Sequence, residues 1–451
     1  MDGAPTNCRY RPRCLVTPDV SAPARSLSLF DATSLIVGII VGAGIYQMAP
    51  DVAKGVDGAF GLFGIWVLGG LLSLCGALCY AELATAYPEQ GGDYVYLNRA
   101  YGDWAGFLFG WVQLVVVRPG DIAVMAFAFA TYADAIVTGL TGGASPVATS
   151  AYAVAAVVVL TAINVTGVRQ GTWTQNLLTV AKTVGLLLIV AAAFAGGGAA
   201  PAAAPAERVP FGLALNFVLF TYGGWNEMAY VAAEVRDPDR NIGRALVLGT
   251  LAVTVLYLLA NGAFLVALGH GGLAASTKVA TDTVAAVFPE AAALLVSALI
   301  CVSALGAVNG LVFTGARISY ALGRDHRLFA GLGRWHPRVG TPVAALTVQG
   351  AIAIGLIAAL GSFVGAVLYT AAAVYAFYLA TTLAVIVLRR KDPDRPRAFR
   401  VPGYPVTPIA FAATCGLLIW SAVDYRPVIS GATVALALLG LPVWWWGRRG
   451  P

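Results

Sequence analysis

The sequence predicts an all-α polytopic membrane protein of twelve transmembrane helices, the first ten forming a five-plus-five inverted repeat with broken helices 1 and 6. Three observations predict it. Hydrophobic residues make up 59% of the 451 positions and charged residues only 11%, against roughly a quarter charged in a soluble chain. Long apolar runs recur throughout at lengths that cross a bilayer. Two of them are interrupted by glycine at matching places, Gly42-Ala43-Gly44-Ile45-Tyr46 and Phe220-Thr221-Tyr222-Gly223-Gly224-Trp225-Asn226.

Spans 1 to 5 are expected near 29–53, 60–87, 104–137, 150–168 and 175–197. Spans 6 to 10 are expected near 210–233, 242–269, 284–316, 342–360 and 364–388, and spans 11 and 12 near 405–423 and 428–447. The first 28 residues hold no apolar run, so they read as a retained tail without a secretory signal. Residues 29–197 and 210–388 read as two copies of one five-helix unit, each opening on a glycine-interrupted span. Five is odd, so the second copy enters the membrane from the opposite side, and inverted topology follows from counting. Spans 11 and 12, in 405–447, fall outside the repeat and read as packing helices or a homodimer contact.

The net charge of +6 is a topology signal, with no call for a nucleic-acid partner. With the N-terminus inside, the loops between spans 1–2, 5–6, 7–8 and 11–12 hold only Lys54, Arg208, Lys278 and Arg426. Arg118 and Lys182 lie within spans, and every other Lys and Arg falls on the inner side. That asymmetry puts both termini in the cytoplasm of a cell-membrane protein. Basic inner loops at 236–241, 324–338 and 389–391 then sit at lipid headgroups. Cys75 and Cys79, one turn apart, with Cys301 and Cys415, read as apolar packing residues, while Cys8 and Cys14 lie in the reducing tail. The stretch 196–205 is an Ala, Gly and Pro connector.

Broken backbone survives in lipid only where it lines a buried cavity, because each unsatisfied polar group there costs several kcal/mol. Paired breaks in two halves point to the binding site of a small-molecule transporter. A break exposes N–H groups with positive dipole on one side and carbonyls with negative dipole on the other. A zwitterion satisfies both without any charged side chain, which suits amino acids. Gly42 and Gly44 allow the unwinding and close approach. Lys182, deep in span 5, is a functional residue by its depth. It reads either as an ammonium in the place of a sodium ion, with a part in proton movement, or as a structural cation on the carbonyls of broken helix 1. Both readings predict sodium independence. Arg118 and Asp121 are three residues apart and read as a mutually neutralising pair. Glu227, directly after the second break, either tunes charge at the site or faces inner solvent. Ser303 and Asn309 read as interhelical hydrogen-bonding groups in packing.

An intramembrane enzyme is excluded on chemistry. His270, His326 and His336 all fall in predicted loops, so no H-E-x-x-H metal site exists. Arg118-Pro119-Gly120-Asp121 lacks the first glycine of the G-x-G-D pattern of intramembrane aspartyl proteases. No motif calls for a cofactor.

The motifs, taken in order, give a resemblance. G-A-G-I-Y stands in span 1, G-A-L-C-Y-A-E-L in span 2 with P-E-Q-G-G-D-Y-V-Y-L after it, and V-R-P-G in span 3. F-T-Y-G-G-W-N and P-D-R-N-I follow in span 6, S-A-L-G-A-V-N-G and G-A-R-I-S-Y-A-L-G-R-D in span 8, and R-A-F-R-V-P-G-Y-P before span 11. Over nearly its whole length the chain resembles the amino acid-polyamine-organocation superfamily, and within it the L-type amino acid transporters, in a prokaryotic type without heavy chain. The resemblance implies a LeuT-like fold and sodium-independent secondary transport of amino acids by alternating access, as an exchanger or proton-coupled symporter. A polyamine or cationic amino acid antiporter is the alternative. It places Ile40, Gly42, Ala43 and Gly44, with Ile45 beside them, at the substrate carboxylate. Phe220 falls at the aromatic gate, with Thr221, Tyr222 and Gly223 nearby and Asn226 beyond. Lys182 falls at the helix-5 lysine of sodium-independent members. Three departures stand out. Ala43 replaces a serine, leaving backbone N–H groups to hold the carboxylate. Gly243 replaces a proline after the P-x-R-N-I motif. The loop 139–150 carries no Cys, so no disulfide-linked heavy chain is expected.

Overall fold

Span 1 starts where its chemistry says it should. Ser28 caps Leu29–Ile40, its Oγ accepting from the Asp31 N–H at 3.2 Å while the Asp31 carboxylate accepts from the Ser28 N–H at 2.8 Å. This reciprocal pair satisfies two of the N–H groups that a helix start leaves orphaned. The computed structural model describes residues 24–142, 147–196, 207–360, 363–425 and 427–449. The tail cysteines Cys8 and Cys14, Arg426 and most of the 196–205 connector lie outside the described residues.

Eight described helices are long and apolar enough to cross a membrane, and shorter apolar helices at Phe211–Thr221, Val343–Ala359, Val406–Ser421 and Val434–Gly447 complete a twelve-span fold. Span 1 stops at Ile40 and resumes at Gly44–Gln47 and Ala49–Lys54. Span 6 stops at Thr221, and its second half, Glu227–Glu234, winds as a 3₁₀ helix. Spans 2, 4, 5, 7 and 8 are Gly58–Ala86, Thr149–Thr166, Val168–Gly196, Pro238–Ala275 and Ala292–Asp325. Spans 9, 10 and 11 are Val343–Leu360, Phe363–Lys391 and Val406–Tyr425, and span 12 is Pro427–Leu438 continued by Gly440–Arg449. Two short helices are additions to the expected pattern: Asp93–Tyr101 between spans 2 and 3, and Val279–Ala285 between spans 7 and 8. Span 8 starts eight residues later than expected and runs nine further, because the segment before it folds into the second of these.

Span 3 carries a π-helical turn, Gln113–Val117, between Asp103–Val112 and Arg118–Thr141. Pro119 explains it: proline has no N–H and crowds the carbonyl four residues back, and a wider turn relieves both. Leu71, Val159, Leu188, Val255 and Leu295 are exposed on the outer surface of the bundle. In water such a belt would be costly; in a bilayer it is the lipid face.

Candidate substrate site

The two breaks face each other. Gly224, the hinge of the second, has φ +107°, which only glycine adopts readily, and a Cβ there would lie 2.6 Å from Ile39 Cγ2 at the end of the first half of span 1. Gly44 faces Thr221 in the same way, an added Cβ falling 3.3 Å from its methyl group. The Tyr257 hydroxyl of span 7 lies 2.8 Å from the Ile40 carbonyl and 3.0 Å from the Thr221 carbonyl, so one donor ties both broken ends.

The remaining carbonyls of the first break are held from the other side. Lys182 is wholly buried and its Nζ donates to Gly38 O at 2.7 Å, Val41 O at 2.9 Å and Ser303 O at 2.7 Å. An ammonium has three donors, and all three are used. Ser303 Oγ lies 2.8 Å from Val41 O and 3.1 Å from Gly42 O. Gly306 leaves room for the ammonium, since a Cβ there would come within 2.7 Å of Nζ. Asn309 donates to Gly171 O and Gln175 Oε1, and accepts from Asn164, locking span 8 to spans 4 and 5 behind this site. By contrast, the N–H groups of Ala43, Gly44 and Ile45, and of Gly224, Trp225 and Asn226, meet no protein acceptor among the described residues. Both breaks therefore present free donors on the positive ends of short helical segments.

Between the breaks lies a cavity of about 160 Å³. Of the residues singled out from the sequence, Ile40, Gly42, Gly44, Phe220, Thr221 and Gly223 line it. Ala43, Ile45, Tyr222 and Asn226 are buried beside the breaks and are not part of its wall. Asn226 instead bridges two tyrosines, donating to the Tyr230 hydroxyl at 2.7 Å and accepting from the Tyr378 hydroxyl at 2.8 Å. Lys182 is absent from the wall as well; it acts on the backbone behind it.

The intramembrane charges pair differently from the sequence expectation. Arg118 does not form its ion pair with Asp121: its Nη1 donates to both carboxylate oxygens of Glu227, at 2.9 and 3.0 Å, and Thr314 donates to the same carboxylate. The partner lies 109 residues away and is brought in by the break in span 6. Asp121 lines the cavity, as does Glu227. Sequence reasoning also missed span 11, which supplies Phe411, Cys415 and Leu418 to the wall. No signal in its plain apolar pattern distinguishes a cavity-facing helix from a packing one.

The basic face of the bundle is sealed. Arg317 donates from Nε and Nη2 to Glu234 at 2.8 and 3.1 Å, and Gln90 donates to Glu234 at 2.8 Å. Leu27 and Val235 pair as a short parallel bridge, through Leu27 N–H to Glu234 O and Arg236 N–H to Leu27 O.

Comparison with known proteins agrees with this geometry. A family model of amino acid permeases matches residues 27–446. The chain belongs to the amino acid permease family. Among its relatives, the serine/threonine exchanger SteT of Bacillus subtilis (strain 168) is 32% identical over 93% of this chain and 96% of its own length. The human b(0,+)-type amino acid transporter 1 is 31% identical over 91% of this permease and 85% of the relative. The human large neutral amino acids transporter small subunit 2 is 31% identical over 94% and 80%. A solved structure of Mhp1, a nucleobase-cation-symport-1 family transporter in a closed conformation, superposes with a TM-score of 0.60 over 92% of this chain and 96% of its own. At 11% identity that likeness speaks for the fold. The permease is thus a multi-pass membrane protein of the amino acid-polyamine-organocation superfamily, and a transporter by family.

Proposed function

We propose that this permease exchanges amino acids across the cell membrane independently of sodium, by alternating access around the cavity between the two breaks. The observation that carries the reading is Lys182, whose ammonium holds three carbonyls at 2.7 to 2.9 Å where a coupling cation would otherwise be needed to neutralise them. A fixed cation removes the need for a mobile one. The cargo's carboxylate takes the free N–H groups of Ala43 to Ile45 and of Gly224 to Asn226. Its ammonium uses remaining lone pairs on the carbonyls of the same breaks, each carbonyl having two. Phe220 covers the cargo from the first half of span 6. Exchange is favoured over proton symport by the relative named as a serine/threonine exchanger.

Under this reading the two halves, 29–197 and 210–388, rock against each other, with both termini in the cytoplasm. The permease works without a disulfide-linked heavy chain, since loop 139–150 has no Cys to bond one. The test is uptake of a labelled amino acid panel into proteoliposomes, with and without sodium, internal amino acid and an acidic exterior. Uptake that ignores sodium and requires internal amino acid is the expected result. Uptake into empty vesicles driven by an acidic exterior replaces exchange with proton symport, and strict sodium dependence removes the role given to Lys182.

A further inference from the structure

A second cavity, of about 700 Å³, lies at the basic face beside the seal. Its wall joins Leu27, Glu234 and Arg236 of the seal to Arg169 at the start of span 5 and Arg338 in the loop before span 9. Arg169, Arg236 and Arg338 are exposed, and their side chains meet no acceptor among the described residues. The two carboxylates in the wall are already occupied. Glu234 is gripped by Arg317 and Gln90, and Asp31 accepts from the Ser28 N–H and from Asn176 Nδ2 at 2.6 Å. Three arginines without counter-ions therefore line one space. Val168 and Gln170, in the first turn of span 5, add the positive end of a helix to the same wall.

Span 5 continues this wall into the bilayer. Trp173, Leu177, Val180 and Val184 follow Arg169 at spacings of four, four, three and four, which puts all five on one face of the helix. Trp173 is 66% exposed and the three aliphatic residues are about half exposed, so the stripe points outward along the lipid face. Basic, then aromatic, then aliphatic is the order of a leaflet read from its surface inwards: phosphate, interface, acyl chain. A soluble anion would use the arginines alone and leave the rest of the stripe unused.

We propose that this cavity is a site for the phosphate group of an anionic phospholipid, and that the bound lipid holds the basic face closed. Arg169, Arg236 and Arg338 supply charge-assisted hydrogen bonds to the phosphate oxygens, for which the guanidinium fork is suited. The stripe on span 5 receives an acyl chain. The three arginines come from three separate segments: the chain after span 6, the start of span 5 and the loop before span 9. A headgroup that engages all three ties these segments together next to Leu27 and Glu234, where span 1 enters the bundle. Opening the face pulls the segments apart and loses those contacts, so the lipid populates the closed state, whatever the cargo. A zwitterionic lipid carries the same phosphate but brings its own cation, which the arginines repel.

The test follows hydrogen exchange at the Leu27 and Arg236 amides of the permease in nanodiscs of phosphatidylcholine, with and without phosphatidylglycerol. Phosphatidylglycerol is expected to slow both amides at least about fivefold. Arg169→Gln combined with Arg338→Gln is expected to abolish that slowing. Arg390→Gln, which removes a charge from the same face outside the cavity, is expected to keep it. Equal exchange in the two lipid compositions overturns the proposal. So does slowing that survives in the double variant or falls equally in Arg390→Gln, since either belongs to the general charge of the surface. Slowing by inorganic phosphate in phosphatidylcholine alone overturns it too, by giving the arginines to a soluble anion. None of these readouts needs transport, so failure of amino acid uptake would remove the transport reading and leave the lipid site standing. If the double variant does not fold, native mass spectrometry of the wild type titrated with each lipid decides: phosphatidylglycerol is expected to be retained over phosphatidylcholine, and equal retention overturns the proposal.

Discussion

Lys182 fixes the first break from behind the cavity wall. Its three N–H donors meet three carbonyls from spans 1 and 8, so span 5 holds the broken end of span 1 against span 8. Truncation to alanine removes all three bonds and leaves buried carbonyls short of donors, each at a cost of about 1–3 kcal/mol. Lys182→Ala is expected to lower exchange by more than tenfold, and added sodium to restore part of it by entering the vacated carbonyl cage. Uptake by proteoliposomes of the variant with and without sodium checks this; wild-type rates without sodium would remove Lys182 from the mechanism. The depth of Lys182 was legible in the sequence because it interrupts an apolar run well inside both ends of span 5. The partner of Arg118 was not. Asp121 is its neighbour at helical spacing, and nothing local announces a carboxylate 109 residues away. Which of the two wins depends on how span 6 breaks. Burial of the pair makes it costly to halve, by about 3–5 kcal/mol, while the intact pair gives little net stability.

At the scale of the element, the breaks are the feature that sequence conveys best and span 3 the one it conveys worst. Glycines inside an apolar run are visible, and lipid gives broken backbone only one tolerable use. The turn at Gln113–Val117 is invisible to a 3.6-residue period, yet it shifts the phase of everything after it and so decides which face of Arg118–Thr141 meets the cavity. Asp121 could be assigned to a helix from the sequence, but its face could not. The second break offers a direct test of why glycine is needed. Gly224→Ala must adopt φ +107° and place a methyl 2.6 Å from Ile39, so both backbone and packing oppose it. A strained position of this kind costs on the order of 1–3 kcal/mol. Gly223→Ala has a milder conflict, its Cβ approaching the Phe220 carbonyl at 3.0 Å without a positive φ. Thermal unfolding in detergent is expected to fall clearly more for Gly224→Ala than for Gly223→Ala; equal losses would mean that the positive φ is not what the hinge requires.

For the whole molecule, the proposed alternating access requires that the sealed basic face open, and the seal is built from few, identifiable bonds. Glu234 is its centre. Its carboxylate takes two hydrogen bonds from Arg317 and one from Gln90, and its carbonyl takes the Leu27 N–H. Glu234→Gln keeps the shape and removes the charge, leaving Arg317 buried without a counter-ion and the closed arrangement weakened. Hydrogen exchange at Leu27 and Arg236, whose amides lie in the bridge beside it, is expected to accelerate at least about tenfold, with exchange within span 5 unchanged. Protection equal to wild type would mean that the seal is held elsewhere.

Asp93 gives the same face a dependence on pH. It lies at the start of the short helix after span 2 and is fully buried, accepting from the hydroxyls of Tyr80 and Thr381. Burial is the largest influence and raises its carboxyl from 3.8 to about 6, against the lowering effect of those hydrogen bonds. A carboxyl whose folded pKa lies above its unfolded value adds stability that is complete below pH 3.8 and is lost as pH rises through about 6. The sealed arrangement is therefore expected to be tightest below pH 3.8 and to loosen as pH rises from there to about 6. Asp93→Asn keeps a neutral group at every pH, so the acceleration of Leu27 exchange across that window should vanish in the variant. If the variant and the wild type share one pH profile, Asp93 is not the titrating group, and the slope belongs to another residue of the seal.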